Sequence, residues 1–188
     1  MAEPSLTGLP MPAHRTIRTR RRMATEELAD LVVVDAKLKK IKAELKAMVF
    51  AHGSTLLQIN GIGPAYAART LADVGDITRF ADRDRFASWT GTAPLDASSG
   101  EQIRHRLSRA GNRRMNHVLH IAAIVQLRND TEDRAYFRRK VADGKTRMEA
   151  LRALKRRLSD VLYRRLVADA QRHNLIDDDT GPGGLRGD

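Results

Sequence analysis

"STLLQINGIGPAYAARTLADVGD", Ser54 to Asp76, reads as two short helical segments joined by a glycine corner. Ser54 is placed to cap the first segment, and Pro64 suits the first position of the second. Gly61 and Gly63 permit backbone angles that other residues avoid, and Ala67 and Leu71 recur at core spacing. This is the pattern of a helix-hairpin-helix over residues 54–75. In that motif the corner brings backbone N–H groups, with the positive end of the second helix, against a phosphate without reading bases. Gly61, Ile62 and Gly63 are therefore the first candidate DNA-binding residues. The competing interpretation is a tight helix-helix corner with a purely structural purpose.

Charge favours the phosphate. The 188 residues include 34 Lys and Arg against 23 Asp and Glu, a net charge of +11 that points to polyanionic partners, nucleic acid first. A membrane surface fits less well, because aromatic residues make up only 4% and no apolar run approaches the length of a span. Cysteine is absent, which excludes disulfides and thiolate metal sites and suits a reducing cytoplasm. The first residues lack the apolar block of a signal peptide. The length allows one compact domain plus an extended element.

Upstream of the corner, residues 1–22 are rich in Pro, Thr and Arg without apolar periodicity, and read as a flexible basic arm. Residues 23–51 change character. Leu31, Leu38 and Leu45 recur every seven residues, with Val34, Ile41 and Met48 in the interleaved register. That is the seam of a short coiled coil, predicting a homodimer; about three heptads also suits one amphipathic helix packed on its own domain.

Downstream, residues 76–91 predict a loop and a short helix, with Phe80, Phe86 and Trp89 in the core. "TAPLDASSGEQIRHRLSRAGNRR", 92–114, has no helical period, some β-hairpin character around Ile103, and a concentration of arginines. A long irregular segment inside a compact domain is usually functional or disordered. Its Arg104, Arg106, Arg109, Arg113 and Arg114 argue for function and join the candidate DNA contacts. A helix then starts near Asn112, with Met115, Leu119, Ala122, Ala123 and Gln126 along one side and an apolar run around Ile121 to Val125 that suggests deep burial. His117 and His120 stand three apart on it, but no third ligand is near, so no metal site is expected on this chain. A shorter helix ends at Gly144. The last long helix carries a core stripe of Met148, Leu151, Leu154, Leu158, Val161, Leu162 and Leu166, while Arg152, Lys155, Arg156, Arg164 and Arg165 read as its solvated face. Residues 171–188 read as a disordered tail. The fold class is thus mainly α: a coiled-coil helix followed by a compact helical domain with a helix-hairpin-helix and an arginine-rich loop.

Three stretches, from "LLQINGIGPAYAARTLADVGD" through "DASSG", then "HRLSRAGNRRMNHVLHIAAIVQLRND" and "GKTRMEALRALKRRLSDVLYRRL", closely resemble the C-terminal transposase domain of the DEDD-type bacterial insertion-sequence transposases, the bridge-RNA-guided recombinases. The resemblance covers about residues 54–168, within a C-terminal domain of residues 54–170, and the preceding coiled coil resembles that family's linker. It implies DNA transposition by a serine that attacks the DNA backbone, assisted by an N-terminal RNase-H-like domain whose four acidic residues hold divalent metal such as magnesium. The serine falls in the segment corresponding to "APLDASSG", so Ser99 is the first candidate nucleophile and Ser98 the second. Implied partners are DNA, a structured guide RNA, and a second copy or an intact transposase through the coiled coil.

The chemistry agrees with that assignment. A serine hydroxyl needs a base or a metal to become nucleophilic, and a transferring phosphoryl group needs positive charge around it, which Arg104, Arg106 and Arg109 are placed to supply. Asp96 is the one carboxylate beside the serines, and it reads equally as a turn-forming residue. No acidic RNase-H-like half precedes the coiled coil, so the chain is expected to be truncated or split and incomplete alone. The alternative is a non-catalytic nucleic-acid-binding remnant or regulator; a general helix-hairpin-helix protein would leave the arginine-rich segment unexplained.

Overall fold

In a computed structural model of the chain, the described residues are 13–96, 105–106 and 111–179. They divide into two units, Met1–Glu44 and Leu45–Asp188.

The first unit is helical. Helix α1, Ala13–Ala51, starts well before the predicted coiled coil, so residues 13–22 of the predicted arm are helical. Arginine is a good helix former, and the Arg22–Glu26 pair, 3.7 Å apart at i,i+4 spacing, supports the turn that joins arm to seam. Leu31, Val34, Leu38 and Ile41 are all exposed in the single chain.

In the second unit, the last turns of α1 contribute Val49 to a core that runs through every later helix. The first predicted helix of the hairpin is a single 3-10 turn, Leu56–Gln58. Helix α2 follows, Pro64–Val74, with Pro64 in its first turn as expected. A second 3-10 turn, Ile77–Arg79, leads to α3, Arg83–Trp89, capped by the Asp82 carboxylate, which accepts from the Asp84 and Arg85 N–H groups. Phe86 is fully buried, with Phe80, Trp89 and Tyr163 rings around it at centroid distances of 5.1–5.7 Å.

Two-residue strands β1, Leu95–Asp96, and β2, His105–Arg106, pair antiparallel, with Leu95 opposite Arg106 and Asp96 opposite His105. Helix α4, Arg113–Arg128, begins at the predicted place because the Asn112 side chain accepts from the Arg114 and Met115 N–H groups. Its predicted side of Met115, Leu119, Ala122, Ala123 and Gln126 is buried, whereas in the apolar run expected to be deep, Ile121, Ile124 and Val125 are only half-buried because they flank that side. Helix α5, Glu132–Ala142, is capped by Thr131.

Helix α6, Arg147–Asp179, is the central element, packing against α3, α4 and α5. It runs past residue 171 into the predicted tail, since neither Gly nor Pro interrupts the sequence before Gly181. Leu151, Leu154, Leu158, Leu162 and Leu166 form the buried stripe, each fully buried Leu stabilising the fold by about 2 kcal/mol. Met148 departs from the predicted stripe: it is 62% exposed, and Ala150 fills the core at that end. Lys155 departs in the opposite sense, being buried rather than solvated.

Candidate nucleic-acid interface

The glycine corner is built from behind by α4. A Cβ on Gly61 would lie 2.9 Å from the Ala122 backbone, and Gly61 has φ +89°, a region L side chains rarely adopt. Gln126 Nε2 donates to the Asn60 carbonyl at 2.9 Å, fixing the corner to α4. Ile62 turns its side chain into the core and spends its N–H on the Ile59 carbonyl. Gly63 differs from both. It is exposed, nothing stands within 4 Å of where its Cβ would be, and neither its N–H nor that of Ala65 donates to a described residue. Of the predicted triplet, Gly63 faces outward and the other two brace it.

The corner is also tied to α6. Asp169, only 4% exposed, accepts from the Ser54 hydroxyl at 3.1 Å, the Thr55 N–H at 2.8 Å and the Thr55 hydroxyl at 2.7 Å, and also pairs with Arg172. The Ser54 hydroxyl in turn accepts from the Leu56 N–H at 3.3 Å, but the cap position of the 3-10 turn falls to Thr55, one residue after the predicted Ser54, and no side chain caps it.

Helices α2 and α4 lie antiparallel, because Gly61 meets Ala122 at one end and Asp73 meets Arg114 at the other. The Arg114 guanidinium is 3.2 Å from the Asp73 carboxylate, whose side chain is 8% exposed while that of Arg114 is 70% exposed. Arg113 is exposed and makes no ion pair among the described residues. Gly63 and Arg113 therefore stand at opposite ends of α2, a separation of roughly 15 Å. Between them the Tyr66 hydroxyl and His117 Nε2 are 3.5 Å apart, and exposed Arg69 shares the Tyr66 and Asp73 face by helical spacing. His120 is held below the usual histidine range by burial first, then by the charges of Lys155 and His117. Among the described residues no group of three or more potential ligands is placed to hold a metal.

The candidate nucleophiles Ser98 and Ser99, with Arg104 and Arg109, lie outside the described residues. Arg106 is placed by its backbone alone, in β2 opposite Leu95. What the structure does describe is how the segment 92–110 is anchored. The Asn112 N–H donates to the Trp89 carbonyl at 2.6 Å, and a Cβ on Gly111 would come within 2.5 Å of the Gly91 backbone. Asn116 Nδ2 donates to the Thr90 and Gly91 carbonyls, both at 3.0 Å, and Lys155 Nζ donates to Asn116 Oδ1 at 2.6 Å. Entry and exit are clasped together by one amide and one amine. Sequence reasoning missed Asn116, Lys155 and Asp169; the only signal was polar residues set among the buried positions of α4 and α6.

The geometry defines a class of protein: a basic helical module with backbone donors unpaired among the described residues at one end of a helix pair and arginines at the other. Residues 53–138 match the family described as Transposase IS116/IS110/IS902 family. Among relatives, the chain is similar to an insertion element IS110 uncharacterized 43.6 kDa protein of Streptomyces coelicolor, 33% identical over 138 residues, 72% of this chain and 34% of the relative. It is also similar to an insertion element IS900 uncharacterized 42 kDa protein of Mycobacterium paratuberculosis, 35% identical over 125 residues, 65% of this chain and 31% of the relative. A third, an insertion element IS116 uncharacterized 44.8 kDa protein of Streptomyces clavuligerus, is 29% identical over 137 residues, 71% of this chain and 34% of the relative. The chain thus spans about a third of the length of the relatives it matches. No helix among the described residues is long and apolar enough to cross a membrane.

Proposed function

We infer that the chain is the DNA-binding, serine-bearing C-terminal part of an insertion-sequence transposase and takes part in DNA transposition. The observation that carries this inference is the family match over residues 53–138, the same stretch that holds the glycine corner, Arg113, Arg114 and the anchored segment 92–110. Backbone phosphates sit on the Gly63 and Ala65 N–H groups at the start of α2 and on Arg113 at the start of α4. Ser99 is the nucleophile, with Ser98 as the second choice. Its Oγ forms an ester with a backbone phosphorus, a deoxyribose oxygen leaves with the proton, and Arg104, Arg106 and Arg109 stabilise the charge on the phosphoryl oxygens. Divalent metal such as magnesium belongs to an acidic RNase-H-like domain. The described residues of this chain offer no ligand set for it, and no step is assigned to them through a metal.

Pairing through α1 is part of this inference. The seam residues Leu31, Val34, Leu38 and Ile41 are exposed in the single chain and repeat at heptad spacing, which suits a second copy or an intact transposase. The same exposure supports a second reading, a non-catalytic regulator that pairs with an active transposase. A structured guide RNA is a further partner implied by the resemblance.

Covalent chemistry separates the two. With an acidic N-terminal domain of the family, magnesium and DNA supplied, the transposase reading predicts a slowly migrating protein–DNA species that survives denaturant and disappears in Ser99→Ala. Loss in Ser98→Ala alone moves the nucleophile by one residue. No such species in any of these mixtures leaves the binding module as the function.

A further inference from the structure

Lys155 sits in the middle of α6 with 8% of its surface exposed. A buried ammonium ordinarily requires a carboxylate, because an isolated charge in a low-dielectric interior is costly. Lys155 has none within ion-pair distance among the described residues, where its Nζ donates to the neutral Asn116 Oδ1. Burial alone holds the amine below the usual lysine range, with no neighbouring charge offsetting it. Two of its three donors meet no acceptor among the described residues.

The side chain borders a cavity of about 260 Å³ between the turn at residues 91–94, Tyr136 and one side of α6. Lys145, Arg152, Lys155 and Arg156 reach this cavity against a single carboxylate, Glu149. Glu149 accepts from the Thr146 N–H at 2.9 Å and hydroxyl at 2.7 Å, and its one negative charge, which also feels Arg152 and Lys145, offsets only part of the four cations. Arg156 is committed to Asp84 and Asp160. Arg152, half-buried, has no ion-pair partner among the described residues. The cavity is therefore a cationic recess with spare donors, and its apolar lining by Pro94 and Tyr136 suits a sugar beside an anionic group.

We propose that this recess is a subsite for a backbone phosphate of nucleic acid, which Lys155 meets from the floor and Arg152 from the side. It rests on the nucleic-acid function above and adds a contact remote from the glycine corner. Because Lys155 also holds Asn116, and Asn116 holds the Thr90 and Gly91 carbonyls, a phosphate bound here bears on the turn that opens into the segment 92–110.

Binding of the full chain to a labelled DNA duplex and to a labelled RNA hairpin, followed by anisotropy across a salt series, tests this. Lys155→Met and Arg152→Gln should each weaken binding by roughly tenfold and lower the salt slope by about one, the signature of one lost phosphate contact. A loss confined to the DNA arm or to the RNA arm identifies whose phosphate it is. If Lys155→Met fails to fold by circular dichroism, Arg152→Gln decides alone. Wild-type affinity and slope in the folded variants, while the parent binds steeply, would overturn the subsite and leave the function intact. A parent that binds neither probe with salt dependence overturns both.

Discussion

Gly61 stands so close to Ala122 that a methyl group added to it would lie 2.9 Å from the helix backbone, whereas Gly63, two residues on, has open space around it. Two glycines of one corner therefore carry different loads. Gly61→Ala should cost about 2–4 kcal/mol in a urea or guanidinium titration, since it combines backbone strain with a clash that flexible side chains cannot relieve. Gly63→Ala should leave stability within about 0.5 kcal/mol and yet weaken DNA binding by roughly tenfold, by holding the phosphate off the free N–H groups. Equal stability losses in both variants would show that the corner is structural throughout.

Asp169 joins residues more than a hundred positions apart, accepting three hydrogen bonds from Ser54 and Thr55. Asp169→Ala strands those donors and frees Arg172. Equilibrium unfolding should register a loss of about 3 kcal/mol, with Asp169→Asn in between. A loss below half of that would mean water replaces the carboxylate without difficulty.

Lys155 links stability to pH. Its folded pKa is pushed below the ordinary 10.5 by burial, so the unfolded chain binds this proton more readily. The stability tied to the group is present in full above 10.5 and is lost as pH falls through the depressed folded value. Melting temperatures should therefore rise in the parent relative to Lys155→Met as pH is raised towards 10.5, the difference isolating this one amine from other alkaline titrations. Parallel curves would contradict an uncompensated buried charge.

The α1 seam makes an oligomeric prediction. Sedimentation should show a concentration-dependent dimer, and Leu38→Asp should return it to the monomer, because an unpaired carboxylate in the seam cannot be desolvated cheaply. The helical signal of the second unit should survive that substitution. A monomer in the parent chain at all concentrations would remove pairing from the account.

Much of the helical scaffold was legible in the sequence because its signals are local. Asn112 marks the start of α4, and the spacing of Leu151, Leu154, Leu158, Leu162 and Leu166 marks the buried side of α6. What the pattern missed depends on distant partners. Lys155 looked like one more solvated cation until Asn116 and the turn at Thr90 closed over it, and Asp169 gave no hint of reaching Ser54. Ile62 stands between two glycines of the corner, yet its apolar side chain belongs to the core. Met148 shows the converse: it obeys the helical period but lies where α6 has only begun to enter the core. Ser98 and Ser99, the proposed nucleophiles, lie outside the described residues.

The most direct measurement is the dependence of DNA affinity on salt concentration for the unmodified chain. Phosphates held by Arg113 and the Lys155 recess displace counterions, whereas the neutral Gly63 N–H displaces none, so the logarithm of affinity should fall linearly with the logarithm of salt, with a slope of about −2 or steeper. A slope near zero between low and moderate salt, or no binding at low salt, would contradict the assignment of nucleic acid as the ligand.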